Sequence, residues 1–282
     1  MWKIASAAVF AACFGVSGGV QAADLSLKDT PVAGYAPALQ WPSFYVGGHL
    51  GGAFGNTDVT DVFDYHGDPT AKNSVDSTGL ITGVQLGYNL QSGNFVYGIE
   101  ADLGYLNLSG DKSAALPNPT GVKNNDISAT YSTSGGLYGD LTGRVGYASG
   151  NSLLYVKGGA ALLQANMDSN YSGANCSTTG DKNCQKEIGP SNFSFDSSDT
   201  LIGWTLGVGM EYALSPSWSL KVEYQHFDFG SLSTSYSGTH SFSCNYNSNK
   251  TCTSTLTGKS DADITADAVM VGLNYQFNFG GN

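Results

Sequence analysis

The chain has 282 residues, 38 of them glycine, with 41% hydrophobic residues and a formal net charge of −11 from 23 acidic and 12 basic side chains. Glycine at nearly twice its usual share of about 7% argues against an ordinary helical domain, and the acidic balance leaves no electrostatic footprint for nucleic acid. No run beyond the N-terminal segment approaches the ~18 apolar residues of a transmembrane helix, so membrane residence requires strands, which lipid accepts only as a closed barrel.

The chain opens with Lys3, an apolar run from Ile4 to Val16 and Val20-Gln21-Ala22 ahead of Ala23, the layout of a cleavable export signal over residues 1–22. Cleavage there removes Lys3 and takes the charge from −11 to −12. Cys13 offers a lipoprotein reading, weakened because Phe10 stands where an aliphatic residue is usual. Residues 23–43, with Pro31, Pro37 and Pro42, read as a periplasmic tail, either a disordered leader or a partner-binding segment.

From Phe44 one pattern repeats: 11 to 17 residues alternating apolar with small or polar, then a turn or polar stretch. The segments are Phe44–Phe54, Thr78–Leu90, Phe95–Leu108, Ser134–Ala148, Ser152–Asn166, Thr200–Leu214, Trp218–Phe229 and Asp263–Phe279. Each exceeds the roughly 9 to 11 tilted residues that cross a bilayer. The prediction is an all-β fold, an eight-stranded antiparallel up-and-down transmembrane β-barrel over residues 44–279, with a short tail at 280–282. Tight connections at Gln91–Asn94, Ser149-Gly150 and Ser215–Ser217 alternate with four long polar loops. Short turns face the periplasm in barrels of this class, so both termini are expected there.

Parity along each strand separates the two faces. Ile202, Trp204, Leu206, Val208, Met210 and Tyr212 share one parity, and Thr205 and Glu211 take the other. Phe95, Tyr97, Tyr147, Tyr212, Trp218, Tyr275 and Phe277 fall near the short-turn ends, as an interfacial aromatic girdle requires. The same parity sends a charged set into the lumen: Glu100, Asp102, Asp140, Arg144, Lys157, Glu211, Lys221 and Glu223, with His49, Gln85, Gln225, Asn274 and Gln276. Buried charges persist only when paired. Arg144, the only arginine, is expected to hold Glu100 and Asp102 in two directions, forming an ion-pair plug. An eight-stranded interior is just wide enough for side chains to fill. The alternative is a narrow porin in which the same layer is open or movable.

Cys176 with Cys184, and Cys244 with Cys252, sit as two pairs within two loops, and an oxidising export route favours disulfides. Three connectivities are open, with the local pairs favoured; zinc is disfavoured by the spacing. The long loops are rich in Ser, Thr, Asn and Gly and read either as tolerant solvated segments or as a surface that meets cells, host molecules or phage. His226, toward lipid near the outer end of its strand, lacks a neighbouring nucleophile, with Asp228 two residues on. No catalytic residue, metal ligand set or cofactor site is expected.

WPSFYVGGHLGGAFG, GVQLGYNLQSGNFVYGIEADL, LTGRVGYA, LLYVKGGAAL, GWTLGVGMEYALSPSWSLKVEY and the closing VGLNYQFNF together resemble the small, porin-like outer-membrane β-barrel proteins of alphaproteobacteria, related to the transmembrane barrel of OmpA. The resemblance implies insertion by the outer-membrane assembly machinery, contact with outer-membrane lipid and lipopolysaccharide, and roles in envelope integrity, adhesion or host contact, with small-solute passage in some members. It brings no catalytic residues. Tyr275, Phe277 and Phe279 would form the terminal insertion signal, although Gly280-Gly281-Asn282 follow it, and His226 stands where the family often has Tyr.

Overall fold

The computed structural model describes residues 41, 43–63, 70–116, 127–173, 191–243 and 251–277. They form nine strands: β1 (Phe44–Phe63), β2 (Thr70–Ser92), β3 (Phe95–Leu116), β4 (Ile127–Ser134), β5 (Leu137–Ser149), β6 (Ser152–Gly173), β7 (Ser191–Ala213), β8 (Trp218–Ser243) and β9 (Thr251–Phe277). Every pairing is antiparallel, and the ring closes through β1 against β9, from Phe44 opposite Phe277 to Phe63 opposite Gly258. β4 and β5 occupy one stave, pairing with successive stretches of the same two strands, β3 and β6. The architecture is thus an eight-stave antiparallel barrel, as the alternation predicts.

The expected single run Ser134–Ala148 is interrupted at Gly135-Gly136. The break stays pinned to β3, with Leu106 N donating to Gly136 O at 2.9 Å and Gly135 N to Leu108 O at 3.1 Å. A Cβ on Gly135 would strike the Leu106 carbonyl, and one on Gly136 would come within 2.8 Å of the Gln164 carbonyl. The neighbouring staves close in so tightly that only glycine fits.

A second difference is length. Much of what reads as polar loop is strand: β1 continues through Thr57-Asp58-Val59-Thr60-Asp61-Val62, and β9 begins at Thr251. These stretches keep the period of two, but their outward side chains are polar. On β1 the exposed apolar side chains are Phe44, Val46, Leu50 and Phe54, after which Asp58 is exposed; on β7 they run from Tyr212 to Ile202, after which Thr200 and Ser198 take over. An 11-residue band at ~3.3 Å per residue and ~40° tilt spans roughly 28 Å, the height of an outer-membrane hydrocarbon layer. Phe95, Tyr97, Tyr147, Trp218, Tyr275 and Phe277 ring its short-turn edge.

The interior inverts at the other edge of this belt. Inside the belt the lumen is polar. Beyond it, Val59, Val75, Tyr131, Met167, Leu232 and Ile264 are buried in an apolar core that also takes in Ile81, Leu106, Tyr138, Phe227 and Phe229. Outside lipid the chain obeys the ordinary rule of a water-soluble sheet, apolar side in and polar side out.

Beyond the belt the ring also divides. The β2–β3 ladder ends at Thr78 opposite Ser109 and the β7–β8 ladder at Trp204 opposite Asp228, whereas the other ladders run on. The eight staves thus continue as two leaves, β2-β1-β9-β8 and β3-β4-β6-β7, facing each other across the apolar core. The Tyr131 hydroxyl on one leaf donates to Asp61 on the other.

Candidate functional site: a charged layer inside the barrel

The inward parity of β3, β5, β6, β7 and β8 delivers Glu100, Arg144, Lys157, Glu211, Lys221 and Glu223 to one level, all buried. Glu100 is the hub. Its Oε1 accepts from Lys157 Nζ at 2.9 Å and lies 3.7 Å from Lys221 Nζ; its Oε2 accepts from the Tyr45 hydroxyl at 2.6 Å and lies 3.6 Å from Arg144 Nη1. Lys157 also reaches Glu223 at 2.9 Å and Asp102 at 3.4 Å, and Lys221 lies 3.6 Å from Glu223.

Arg144 sits on the short-turn side of this hub. Its Nε donates to Asn89 Oδ1 at 2.9 Å and its Nη1 to Glu211 Oε2 at 3.4 Å. The expected grip of Arg144 on both Glu100 and Asp102 is half corrected: it pairs with Glu100 and Glu211, and Lys157 holds Asp102. The reason is register. Arg144 lies opposite Gly98, while Asp102 lies opposite Asp140, four residues farther along the stave. Asp140 in turn accepts from Gln225 Nε2 at 3.0 Å.

The remaining polar groups close the layer. His49 bridges Gln85 at 2.8 Å and the Tyr138 hydroxyl at 2.6 Å, and lies 3.4 Å from Asp102. Glu211 accepts from Asn274 Nδ2 at 2.9 Å and from the Ser219 hydroxyl, and Gln85 donates to Asn274. Gln276 is buried on the same face as Asn274. Glu100, Asp102, Asp140, Glu211 and Glu223 face three cations, an excess of two carboxylates.

Three members escape a reading based on charge. Tyr45 and Tyr155 sandwich Arg144, their ring centres 4.6 and 5.1 Å from the guanidinium carbon, and the Tyr155 hydroxyl donates to Glu223. Their inward parity was readable, and so was their space: a Cβ on Gly87 would collide with Tyr45, and one on Gly209 would lie 2.5 Å from Tyr155 Cζ. The third is Trp41, in the stretch expected to be a leader. It is fully buried against Val96, Ala148, Leu153, Tyr155 and Ala213 at the short-turn mouth, and its backbone N–H donates to Gln91 Oε1 at 2.9 Å.

The layer therefore lies between two clusters of buried apolar side chains. Residues 6–277 match the family model described as the outer membrane protein beta-barrel domain. The chain belongs to this family. This outer-membrane β-barrel protein is 30% identical over 230 residues to the 31 kDa outer-membrane immunogenic protein of Brucella melitensis, covering 79% of this chain and 85% of that one. It is 30% identical over 195 residues to the 22 kDa outer membrane protein of Rhizobium leguminosarum bv. viciae, covering 69% and 67%. Among solved structures, OprG of Pseudomonas aeruginosa aligns at a TM-score of 0.39 and 14% identity, over 84% of this chain and 96% of that one.

Elsewhere on the barrel, His226 faces outward at the belt's edge, where its Nδ1 lies 2.8 Å from Asp267 Oδ1 on β9 and its ring packs on Trp204 at 5.5 Å. The Tyr224 hydroxyl donates to the same Asp267 oxygen at 2.6 Å. Among the described residues no group of three His, Cys, Asp or Glu side chains is placed to hold a metal ion. Cys176, Cys184 and Cys244 lie outside the described residues, and Cys252 stands opposite Phe242 in the β8–β9 ladder. Of the terminal aromatic signal, Tyr275 and Phe277 face outward with ring centres 5.1 Å apart; Phe279, the leader 1–22 and the tail 280–282 lie outside the described residues.

Proposed function

We propose that this protein is a closed, non-conducting barrel that anchors a two-leaved β-structure outside the outer membrane, serving envelope integrity and surface interaction rather than catalysis. The observation that carries the reading is the stacking along the barrel axis: Trp41 and its apolar neighbours at one mouth, the ion-paired layer in the middle and the apolar core at the other end. Water and ions have no favourable path through a packed apolar plug, and each cation inside, Arg144, Lys157 and Lys221, is committed to carboxylates.

The short turns and both termini face the periplasm, and the leaves and polar loops face outward, where the loops meet host or cell-surface ligands. The belt contacts membrane lipid and the lipopolysaccharide leaflet, and the terminal aromatics Tyr275, Phe277 and Phe279 are read by the assembly machinery. That the Brucella relative is named an immunogenic protein supports an outward-facing surface. The test is single-channel current through the refolded chain in a planar bilayer. The expected result is no discrete steps from either the parent or Arg144→Ala; reproducible steps in the parent would replace this reading with a narrow porin gated by the charged layer.

A further inference from the structure

The division between β7 and β8 is built into the chain. Phe229 and Gly230 form a bulge that shifts the β8–β9 register between Asp228 and Ser231, with Gly230 at φ 76° and its N–H donating to Asp228 Oδ1 at 3.0 Å. A bulge bends its strand and ends pairing. Below it β7 and β8 are fully laddered. Beyond it β7 stays paired with β6 up to Ser191 and β8 with β9 up to Ser243, but among the described residues no ladder joins β7 to β8. Two strand edges thus border one gap. Solvent reaches it from within: Asp199, at an inward position of β7, is exposed, whereas Leu163, Ala165 and Met167 at inward positions of β6 are buried.

Exposed strand edges are ordinarily blunted by Lys, Pro or inward charge because they template pairing with another chain. The edge of β8 from Ser231 to Ser243 contains no Pro, Asp, Glu, Lys or Arg. The opposite division, between β2 and β3, carries Lys72, Asp76, Asp111 and Lys112 and no register shift. Of these edges that of β8 is the unprotected one, while the facing β7 edge carries Asp196 and Asp199.

The sheet around this gap is acidic. Among the described residues beyond the belt, β6 to β9 carry Asp168, Asp196, Asp199, Asp261, Asp263 and Asp267 against one lysine, Lys259. A second copy of the chain would set these acids against themselves. We propose that the gap between β7 and β8 is a docking site for an extended polypeptide strand bearing Lys or Arg on its outward face, which adds edge to edge between the two leaves. Backbone hydrogen bonds supply the fit and the aspartates select for basic side chains, the division of labour seen in β-strand addition. The site goes beyond the closed-barrel reading and stands whether or not the lumen conducts.

The test uses the full chain refolded in detergent micelles and a fluorescent peptide of about twelve residues alternating Thr and Lys. Two controls accompany it: the same peptide N-methylated at every second residue, which keeps its charge but blocks one hydrogen-bonding edge, and an alternating Thr and Glu peptide. Expected are saturable binding of the Thr-Lys peptide, a loss of about tenfold or more on N-methylation, no binding of the Thr-Glu peptide, and new hydrogen-exchange protection confined to 197–203 and 231–235. The triple variant Asp196→Asn, Asp261→Asn, Asp263→Asn should weaken binding severalfold while leaving the barrel's circular dichroism unchanged. Equal binding of the N-methylated peptide, protection elsewhere, or no binding of the Thr-Lys peptide would overturn the proposal.

Discussion

The guanidinium carbon of Arg144 lies 4.6 Å from the centre of the Tyr45 ring, and the hydroxyl of that ring donates to Glu100, the hub of the charged layer. Tyr45 therefore supports the arginine with its face and the carboxylate with its edge, so that one aromatic residue couples the two halves of the ion-pair network. Removing Arg144 leaves Glu211 and Glu100 short of a partner in a buried layer. Arg144→Ala should cost about 3–5 kcal/mol, as expected for breaking a buried pair from one side. Arg144→Lys should fall between Ala and the parent, because it keeps the charge and loses the planar stack. Urea unfolding of the refolded barrel, followed by circular dichroism, reads both; an unchanged midpoint in Arg144→Ala would show that the network contributes nothing.

Glycines in this barrel divide into those that make room and those that do not. Gly87 and Gly209 face the lumen beneath Tyr45 and Tyr155, where a Cβ would overlap the rings, while a Cβ on the lipid-facing Gly143 would meet nothing within 4 Å. Gly87→Ala and Gly209→Ala should each destabilise by about 1–3 kcal/mol through overpacking. Gly143→Ala, on a strand and in open space, should be neutral or slightly stabilising. Equal effects at all three positions would mean the tyrosines are free to move aside.

How much of this could be read from the sequence follows from what a period of two encodes. It separates the lipid face from the lumen, so Ile202 to Tyr212 and the charged set from Glu100 to Glu223 were legible as faces. It does not encode register, and so nothing in the alternation tells that Asp102 pairs with Lys157 rather than with Arg144. Nor does it mark where lipid gives way to water: Thr57 to Val62 alternate as faithfully as Phe44 to Phe54, but their outward Asp58 and Thr60 read as loop. Trp41 is hidden for a different reason, since a lone aromatic beside Pro42 carries no periodicity, and the His226–Asp267 pair joins residues 41 apart in the chain.

Trp41 provides the next test because the other described tryptophans, Trp204 and Trp218, face lipid whereas Trp41 is fully buried at the short-turn mouth. In a protein carrying Trp2→Phe, Trp204→Phe and Trp218→Phe, Trp41 emission should be blue-shifted and resist quenching by acrylamide. Trp41→Ala should lower stability by up to about 3–5 kcal/mol, the usual cost of emptying such a site. It should not open a current, because the apolar core at the far end remains. Strong quenching would place Trp41 in water and remove one of the two seals that the closed-barrel proposal requires.

The position of the belt is checked by moving one charge along β7. Leu206 lies near the belt's middle, and Ser198 lies beyond its edge with the same outward parity. Leu206→Arg should cost about 2–4 kcal/mol in a bilayer, the depth-dependent penalty of a midplane cation on a barrel's lipid face, and Ser198→Arg close to nothing. If both changes cost the same, the apolar band does not coincide with the hydrocarbon layer.

Asp168 and Asp196 stand directly opposite each other across the β6–β7 ladder beyond the belt. Slight burial, the hydrogen bond that a protonated Asp168 donates to Asp196 and the charge of that neighbour together hold the Asp168 carboxyl above its ordinary pKa. Because the folded-state value is raised, the folded chain binds this proton more tightly than the unfolded one. The stabilising contribution is fully present below the ordinary carboxylate pKa and is lost as pH rises through the raised value. At neutral pH the two like charges oppose pairing, so the β6–β7 extension should exchange its amide hydrogens faster at pH 7 than at pH 4, after correction for intrinsic rates. Asp168→Asn should remove most of that difference by slowing exchange at pH 7 and changing little at pH 4. Both residues are exposed and screened, so the effect should stay local to residues 165–170 and 194–199 and shrink in high salt. A pH difference that survives in Asp168→Asn would assign it to another group.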